Sequence, residues 1–143
     1  MHILDIFTGI GGLTLKLPTH SVALYVENNV FCQNVIQKRI ADGLLPPADI
    51  HNDVCTLTGS HIAFQERQPD FIAAGFPCQD ISVMGKRVGL QGVCSSLIFE
   101  VLRLANELGK PTIWLENVQR LMSVSDIWKP VFAALTALGY SVT

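Results

Sequence analysis

Charged side chains are scarce in this chain. They make up 15 % of its 143 residues, against about 25 % in an ordinary soluble domain. Lys and Arg number ten and Asp and Glu twelve, for a formal net charge of −2. Lys38-Arg39 and Lys86-Arg87 are the only adjacent basic pairs. A surface that grips nucleic acid by itself carries clustered basic residues, so most phosphate contacts with any DNA must come from elsewhere. The four cysteines, Cys32, Cys55, Cys78 and Cys94, form no Cys-x-x-Cys pair, and the four histidines have no cysteine or carboxylate partner at useful spacing. That pattern argues against a zinc site. No apolar run is long enough to cross a bilayer, and Asp5 interrupts the short apolar start, so neither a membrane span nor a signal peptide is expected. Free thiols suit a reducing compartment: cytoplasm or nucleoid in a bacterium, the nucleus in a eukaryote.

Apolar residues, by contrast, reach 49 %. A parallel sheet covered on both faces needs apolar strands throughout. Some of this surface is also expected to meet something outside the chain, by self-association or through a complementary subunit. The expected patch is Val131, Leu135, Leu138, Tyr140 and Val142. The length fits one domain.

Strand and helix signals alternate, which predicts an α/β, doubly wound, mostly parallel sheet of five or six strands. Strands are expected at Ile3–Phe7, Val22–Val26, near Ile50-His51, at Asp70–Phe76 and at Thr112–Leu115, with Tyr140–Thr143 as a sixth strand cut short. A short helix should follow Gly12 and stop before Pro18. The helix Asn29–Ala41 should bury Val30, Cys32, Val35, Ile36 and Ile40 and end at Gly43. Gln79–Ser95, with three glycines, reads as a loop of functional length. The helix Ser96–Leu108 carries Leu97, Val101, Leu104 and Leu108 on one face. In the last helix, Ser125–Leu138, Pro130 must lie in the first turn or shift the start.

Three places on this frame carry chemistry. Gly9, Gly11 and Gly12 follow the first strand and allow a tight turn with close approach of a ligand. Their spacing is not the Gly-x-Gly-x-x-Gly of dinucleotide proteins, and no Lys-Ser/Thr makes a phosphate loop. They serve equally as glycines in a turn with nothing bound. Pro77-Cys78-Gln79 follows the fourth strand, at the carboxyl edge where open α/β sheets put their chemistry. Pro77 stiffens the turn, and Cys78 is either a nucleophile or a small apolar residue at a strand end. Glu116-Asn117-Val118 ends the fifth strand; Glu116 is either a proton-handling acid or a cap on the turn after it. Glu27 closes the second strand, able to accept from ribose hydroxyls or to stand as a loop acid with Asn28 as helix cap. Asp53, followed by Val54, can accept from an adenine amino group or simply shape a turn. Phe7, Phe76 and Trp114 flank these places as pocket wall or core.

The ordered set resembles the cytosine-C5 DNA methyltransferases over nearly the whole chain, but only over the first half of that family's catalytic core. The glycine loop is similar to the family's cofactor motif, Pro77-Cys78-Gln79 to its catalytic motif, and Glu116-Asn117-Val118 to its second catalytic motif. Leu97-Ile98-Phe99-Glu100 is a softer match. The resemblance implies a Rossmann-like S-adenosylmethionine-dependent methyltransferase fold, incomplete, with residues 1–143 as the cofactor-binding part and the target-recognition region and C-terminal motifs absent. It implies S-adenosyl-L-methionine, leaving S-adenosyl-L-homocysteine, bound at Phe7, Gly9, Gly11, Gly12, Glu27, Asp53, Val54 and Pro77. Cys78 would attack C6 of a cytosine and Glu116 would act at N3, with DNA as partner through regions largely outside this chain. Where the family usually has arginine, this sequence has Cys94, which puts a loop contact in doubt. A cofactor-binding or regulatory module without turnover is the alternative.

Overall fold

The computed structural model describes residues 1–17, 21–63, 68–76, 93–116 and 125–142. Its strands are β1 (His2–Ile6), β2 (Ser21–Val26), β3 (Asp49–His51), β4 (Phe71–Gly75) and β5 (Thr112–Glu116). They lie in the spatial order β3-β2-β1-β4-β5, and every pairing is parallel. The helices are α1 (Val30–Ala41), α2 (Gly59–Ala63), α3 (Val93–Glu107) and α4 (Ser125–Ala137). This is the doubly wound α/β sheet expected from the alternation of signals.

Side chains alternate between the two faces of a strand, and here both faces are covered. Leu4, Ile6, Leu24, Val26, Ile72 and Ala74 pack with Val101, Leu104 and Leu108 of α3 and Val131 and Leu135 of α4. Ile3, Tyr25 and Ala73 pack on the other face with Ile36 of α1, Leu45, and the partly buried Leu13 and Leu17. That double cover explains why β1, β2 and β4 read as nearly continuous apolar runs. The strand order reverses direction between β1 and β4, so the crevice beyond their carboxyl ends is where such a sheet takes a ligand.

Several expectations are corrected. Val30 is 68 % exposed, not core, and Phe31 beside it is 71 % exposed. The cap of α1 is Asn29, not Asn28: its side chain accepts from the N–H groups of Phe31 and Cys32 at 2.9 and 3.2 Å, satisfying donors the helix cannot. The helix expected after Gly12 shrinks to one 3-10 turn, Thr14–Lys16. Helix α3 begins at Val93, so Cys94 and Ser95 lie in its first turn and not in a loop. Pro130 sits inside α4, past its first turn.

Residues 140–142 form no strand. The Tyr140 N–H donates to the Leu135 carbonyl at 3.0 Å, and its hydroxyl donates to the Pro111 carbonyl at 2.8 Å, so the chain folds back on the end of α4. The apolar patch expected there does not form. Val131 and Leu135 are 1 % and 6 % exposed, Leu138 and Tyr140 pack against the core, and only Val142 is open. Cys55 is exposed. Phe76 is core, edge-on to Trp128. Helix α2 was not anticipated; Thr58 accepts from the His61 N–H at 3.4 Å at its start.

Candidate functional site

The turn after β1 is built from left-handed backbone. Phe7, Gly9 and Gly11 have φ of 59°, 57° and 84°. Such angles suit glycine and strain a side-chain-bearing residue. The Thr8 hydroxyl donates to the Asp5 carbonyl at 2.9 Å, and the Gly11 N–H donates to the Thr8 carbonyl at 2.9 Å. A Cβ on Gly11 would meet Leu45 at 2.6 Å, so space as well as φ selects glycine there. Gly12 has open space and no positive φ, and nothing in the described residues requires glycine at that position.

Beneath this turn lies Asp5, 1 % exposed. The Thr14 hydroxyl donates to Asp5 Oδ2, while Oδ1 has no partner among the described residues. Desolvation dominates and pushes the Asp5 pKa up to about 7.

Glu27 follows β2 and joins two turns. Its Oε2 accepts from the Gly9 N–H at 2.7 Å and its Oε1 from the Asn29 N–H at 2.8 Å. Its own N–H donates to the His51 carbonyl at 3.0 Å. Gln33 Nε2 donates to the Glu27 carbonyl at 2.6 Å and to Asn52 Oδ1 at 3.1 Å. The carboxylate is thus fixed between the glycine turn and the start of α1, while the Glu27 main chain and Gln33 tie it to the end of β3 and to Asn52. In that second turn the Cys55 N–H donates to Asp53 Oδ1 at 2.9 Å, an arrangement aspartate favours.

A cavity of about 220 Å³ opens between these turns. Phe7, Glu27, Asp53 and Val54, all singled out from the sequence, line it together with Val26, Asn28, Asn52, Gly75 and Leu97. Gly9 reaches it only through its bond to Glu27; Gly11 and Gly12 are not in its wall. Pro77 and Cys78 lie outside the described residues, as does Asn117. Glu116 is exposed and pairs across the sheet with Gly75. Its carboxylate lies 3.4 Å from where a Gly75 Cβ would be, so it borders the residue that floors the cavity. Trp114 is away from the cavity, 38 % exposed and edge-on to Phe71.

Asn28 and Asn52 were missed as cavity residues, and Leu97 was noted only as a core position and a soft match. The available signal was position: each asparagine adjoins an acid that was singled out, and Leu97 opens the helix whose apolar face was.

The donor set suits a nucleoside without phosphates. Among the described residues none that lines it is Lys or Arg, and two carboxylates face the space. Carboxylates suit hydroxyl and amino donors or a positive charge, and repel phosphate. Cys32 and Cys55 are poor nucleophiles: desolvation, then the nearby carboxylates of Glu27 and Asp53 respectively, push their thiol pKa values up. Among the described residues no group of three or more His, Cys, Asp and Glu is placed to hold a metal, and no helix is long and apolar enough to cross a membrane.

Residues 1–143 match the family described as C-5 cytosine-specific DNA methylase. The type II methyltransferase M.CviJI of Paramecium bursaria Chlorella virus IL3A is 34 % identical, over 96 % of this chain and 35 % of its own length. M.BanI of Aneurinibacillus aneurinilyticus is 29 % identical, over 97 % of this chain and 32 % of its own. A solved structure described as a DNA modification methyltransferase encoded within an E. coli prophage superposes with a TM-score of 0.71 at 25 % identity, over 96 % of this chain and 38 % of that one. The chain therefore spans about a third of the length of these relatives. The family match runs from residue 1 to residue 143, and the chain belongs to the C-5 cytosine-specific DNA methylases.

Proposed function

We propose that this chain is the cofactor-binding and nucleophile-bearing part of an enzyme that methylates C5 of cytosine in DNA. The observation that carries the reading is the convergence of Phe7, Glu27, Asp53 and Val54 on one cavity whose described lining holds no Lys or Arg, with Gly75 in its wall and Glu116 beside Gly75. Members of the family use S-adenosylmethionine, which when bound supplies an electrophilic methyl group. Glu27, held by two main-chain donors, accepts from the ribose hydroxyls. Asp53 accepts from the adenine amino group, and Val54 and Leu97 press on the ring.

Cytosine C5 is a poor nucleophile. Bond formation between the Cys78 thiolate and C6 makes the ring electron-rich at C5, splitting one hard step into two. Glu116 holds a proton at N3, offsetting the charge that addition puts on the ring. Pro77 stiffens the turn that carries the thiol. DNA contacts come largely from a complementary region or subunit, in keeping with a net charge of −2.

Calorimetry of the purified chain with S-adenosylhomocysteine tests the cofactor site; no heat of binding at millimolar ligand would remove it. With a complementing half, DNA containing 5-fluorocytosine should give a denaturation-resistant adduct, since fluorine blocks the final elimination. Cys78→Ser should give none, and an adduct with that variant would take Cys78 out of the mechanism.

A further inference from the structure

We propose that Arg103 is a positioning residue for the cofactor site, holding the turn after β3 so that Asp53 and Val54 present themselves to the cavity. The inference rests on reading that cavity as a nucleoside site. Arg103 lies on α3, far along the chain from the turn. One of its terminal nitrogens donates to the carbonyls of Val54 and Leu57 at 3.2 and 2.8 Å. Its Nε donates to Glu100 Oε2 at 2.8 Å, and the other terminal nitrogen to Glu107 Oε1 at 2.8 Å. The second Glu107 oxygen accepts from the Gly59 N–H at 2.6 Å. Arg103 and Glu107 together therefore grip the chain at Val54, Leu57 and Gly59.

Ion pairs at i,i+3 and i,i+4 on a partly exposed helix are worth little in themselves. Here they do something else: Glu100 and Glu107 orient a planar guanidinium so that a third edge meets two main-chain carbonyls. The turn's own bonds are local, from Thr56 and Leu57 back to Asp53 and Val54. His51 of β3 on the Thr56 hydroxyl and Gln33 of α1 on Asn52 tie the near side of the turn to the sheet, and Arg103 with Glu107 ties its far side, from Val54 to Gly59. The same helix sets Leu97 on the cavity wall. One element thus fixes both sides of the place assigned to the adenine.

The test compares the wild-type chain with Arg103→Gln and Arg103→Lys. Lysine keeps a charge for the glutamates but cannot span both carbonyls and both acids. Two ligands are titrated, S-adenosylhomocysteine and S-inosylhomocysteine, which carries a carbonyl in place of the amino group Asp53 would accept from. Wild type should prefer the first by about tenfold or more, and both variants should lose about tenfold in its affinity and most of the preference. Hydrogen exchange at Cys55–Gly59 should quicken in both variants while β1 and β2 stay protected. A loss of global stability alone weakens both ligands equally and leaves the preference intact, which would overturn the positioning role. Variants that keep both the preference and slow exchange would overturn it too. A wild-type chain that binds neither ligand would instead overturn the cofactor reading, and the role assigned to Arg103 with it.

Discussion

Two turns frame the cavity, and they differ in how much of their shape is written into their own backbone. The turn after β1 is shaped from within by left-handed φ at Phe7, Gly9 and Gly11, short main-chain bonds and a buried acid directly below, and Glu27 on the Gly9 N–H and Arg39 of α1 on the Ile10 carbonyl add to that hold. The turn after β3 contains no positive φ and is gripped from outside by Arg103 and Glu107 of α3. The first demands left-handed backbone of its own residues, whereas the second makes no such demand and takes its position from residues far away in the chain. Substitutions in the first act through backbone strain and burial, those in the second through reach and charge.

The largest expected effect belongs to the buried acid. The folded-state pKa of Asp5, about 7, lies above its ordinary value of 3.8. Between those values the folded protein keeps a proton that the unfolded chain has lost. Stability is therefore fully present below about pH 4 and is lost as pH rises toward 7. At about 1.4 kcal/mol per pH unit, the loss is of the order of 4 kcal/mol. Urea denaturation at pH 4.5 and 7.5 should show it, and Asp5→Asn, which keeps an oxygen for Thr14, should flatten the profile. Equal wild-type stability at both pH values would mean that Asp5 does not hold its proton.

Glu27 complicates the contrast, because its carboxylate ties the first turn to the start of α1 while its N–H holds His51 at the end of β3. Glu27→Ala leaves the Gly9 and Asn29 N–H groups without their carboxylate. It should cost about 2 kcal/mol, since hydrogen bonds to charged groups are the stronger ones, and it should weaken S-adenosylhomocysteine further than it weakens the fold. A variant with unchanged ligand affinity would remove Glu27 from the site. Gly11→Ala attacks the first turn alone. Left-handed backbone costs a non-glycine residue about 1–2 kcal/mol, and Leu45 must also move aside. Exchange should quicken at Thr8–Leu13 and not at Cys55–Gly59; the reverse pattern would undo the distinction between the turns.

The smallest effect is at Glu107, about a third exposed. The Gly59 N–H, and then Arg103, hold its pKa below the ordinary value of 4.5. Its contribution is therefore present above about pH 4.5 and lost as pH falls through the depressed folded value, the opposite sign to Asp5. Screening keeps Glu107→Gln under about 1 kcal/mol. The difference from wild type should shrink by pH 3 in denaturant titrations, and a difference that grows there would contradict the assignment.

The contrast also explains what was readable from sequence. Continuous apolar runs placed β1, β2 and β4 to within a residue or two, because both faces of these strands are buried. Phe7, Glu27, Asp53 and Val54 were found because each stands just past a strand, where parallel sheets present ligands. Arg103 was not found: on a helix with Glu100 and Glu107 it reads as a solvated charged face, and only the fold brings Val54 and Leu57 beneath it. Val30 was misjudged because helical spacing says which side of α1 a residue occupies, not whether the sheet reaches that far. Tyr140 was read as strand for its composition, but a hydroxyl in reach of the Pro111 carbonyl draws it back onto α4.

The double anchoring of Glu27 has a thermodynamic consequence. A glutamate free in solvent must give up rotamer freedom when it grips a ligand, an entropic loss of up to about 2 kcal/mol. Glu27 has already given it up on folding, because both oxygens are held by main-chain donors. Its share of binding should therefore be set by dehydration of the carboxylate and of the hydroxyls that replace water there. Vicinal hydroxyls at the right spacing fit a fixture of this kind, whereas a flexible acid would adapt to other geometries. Rigidity at one side chain is in this way a source of discrimination between sugars.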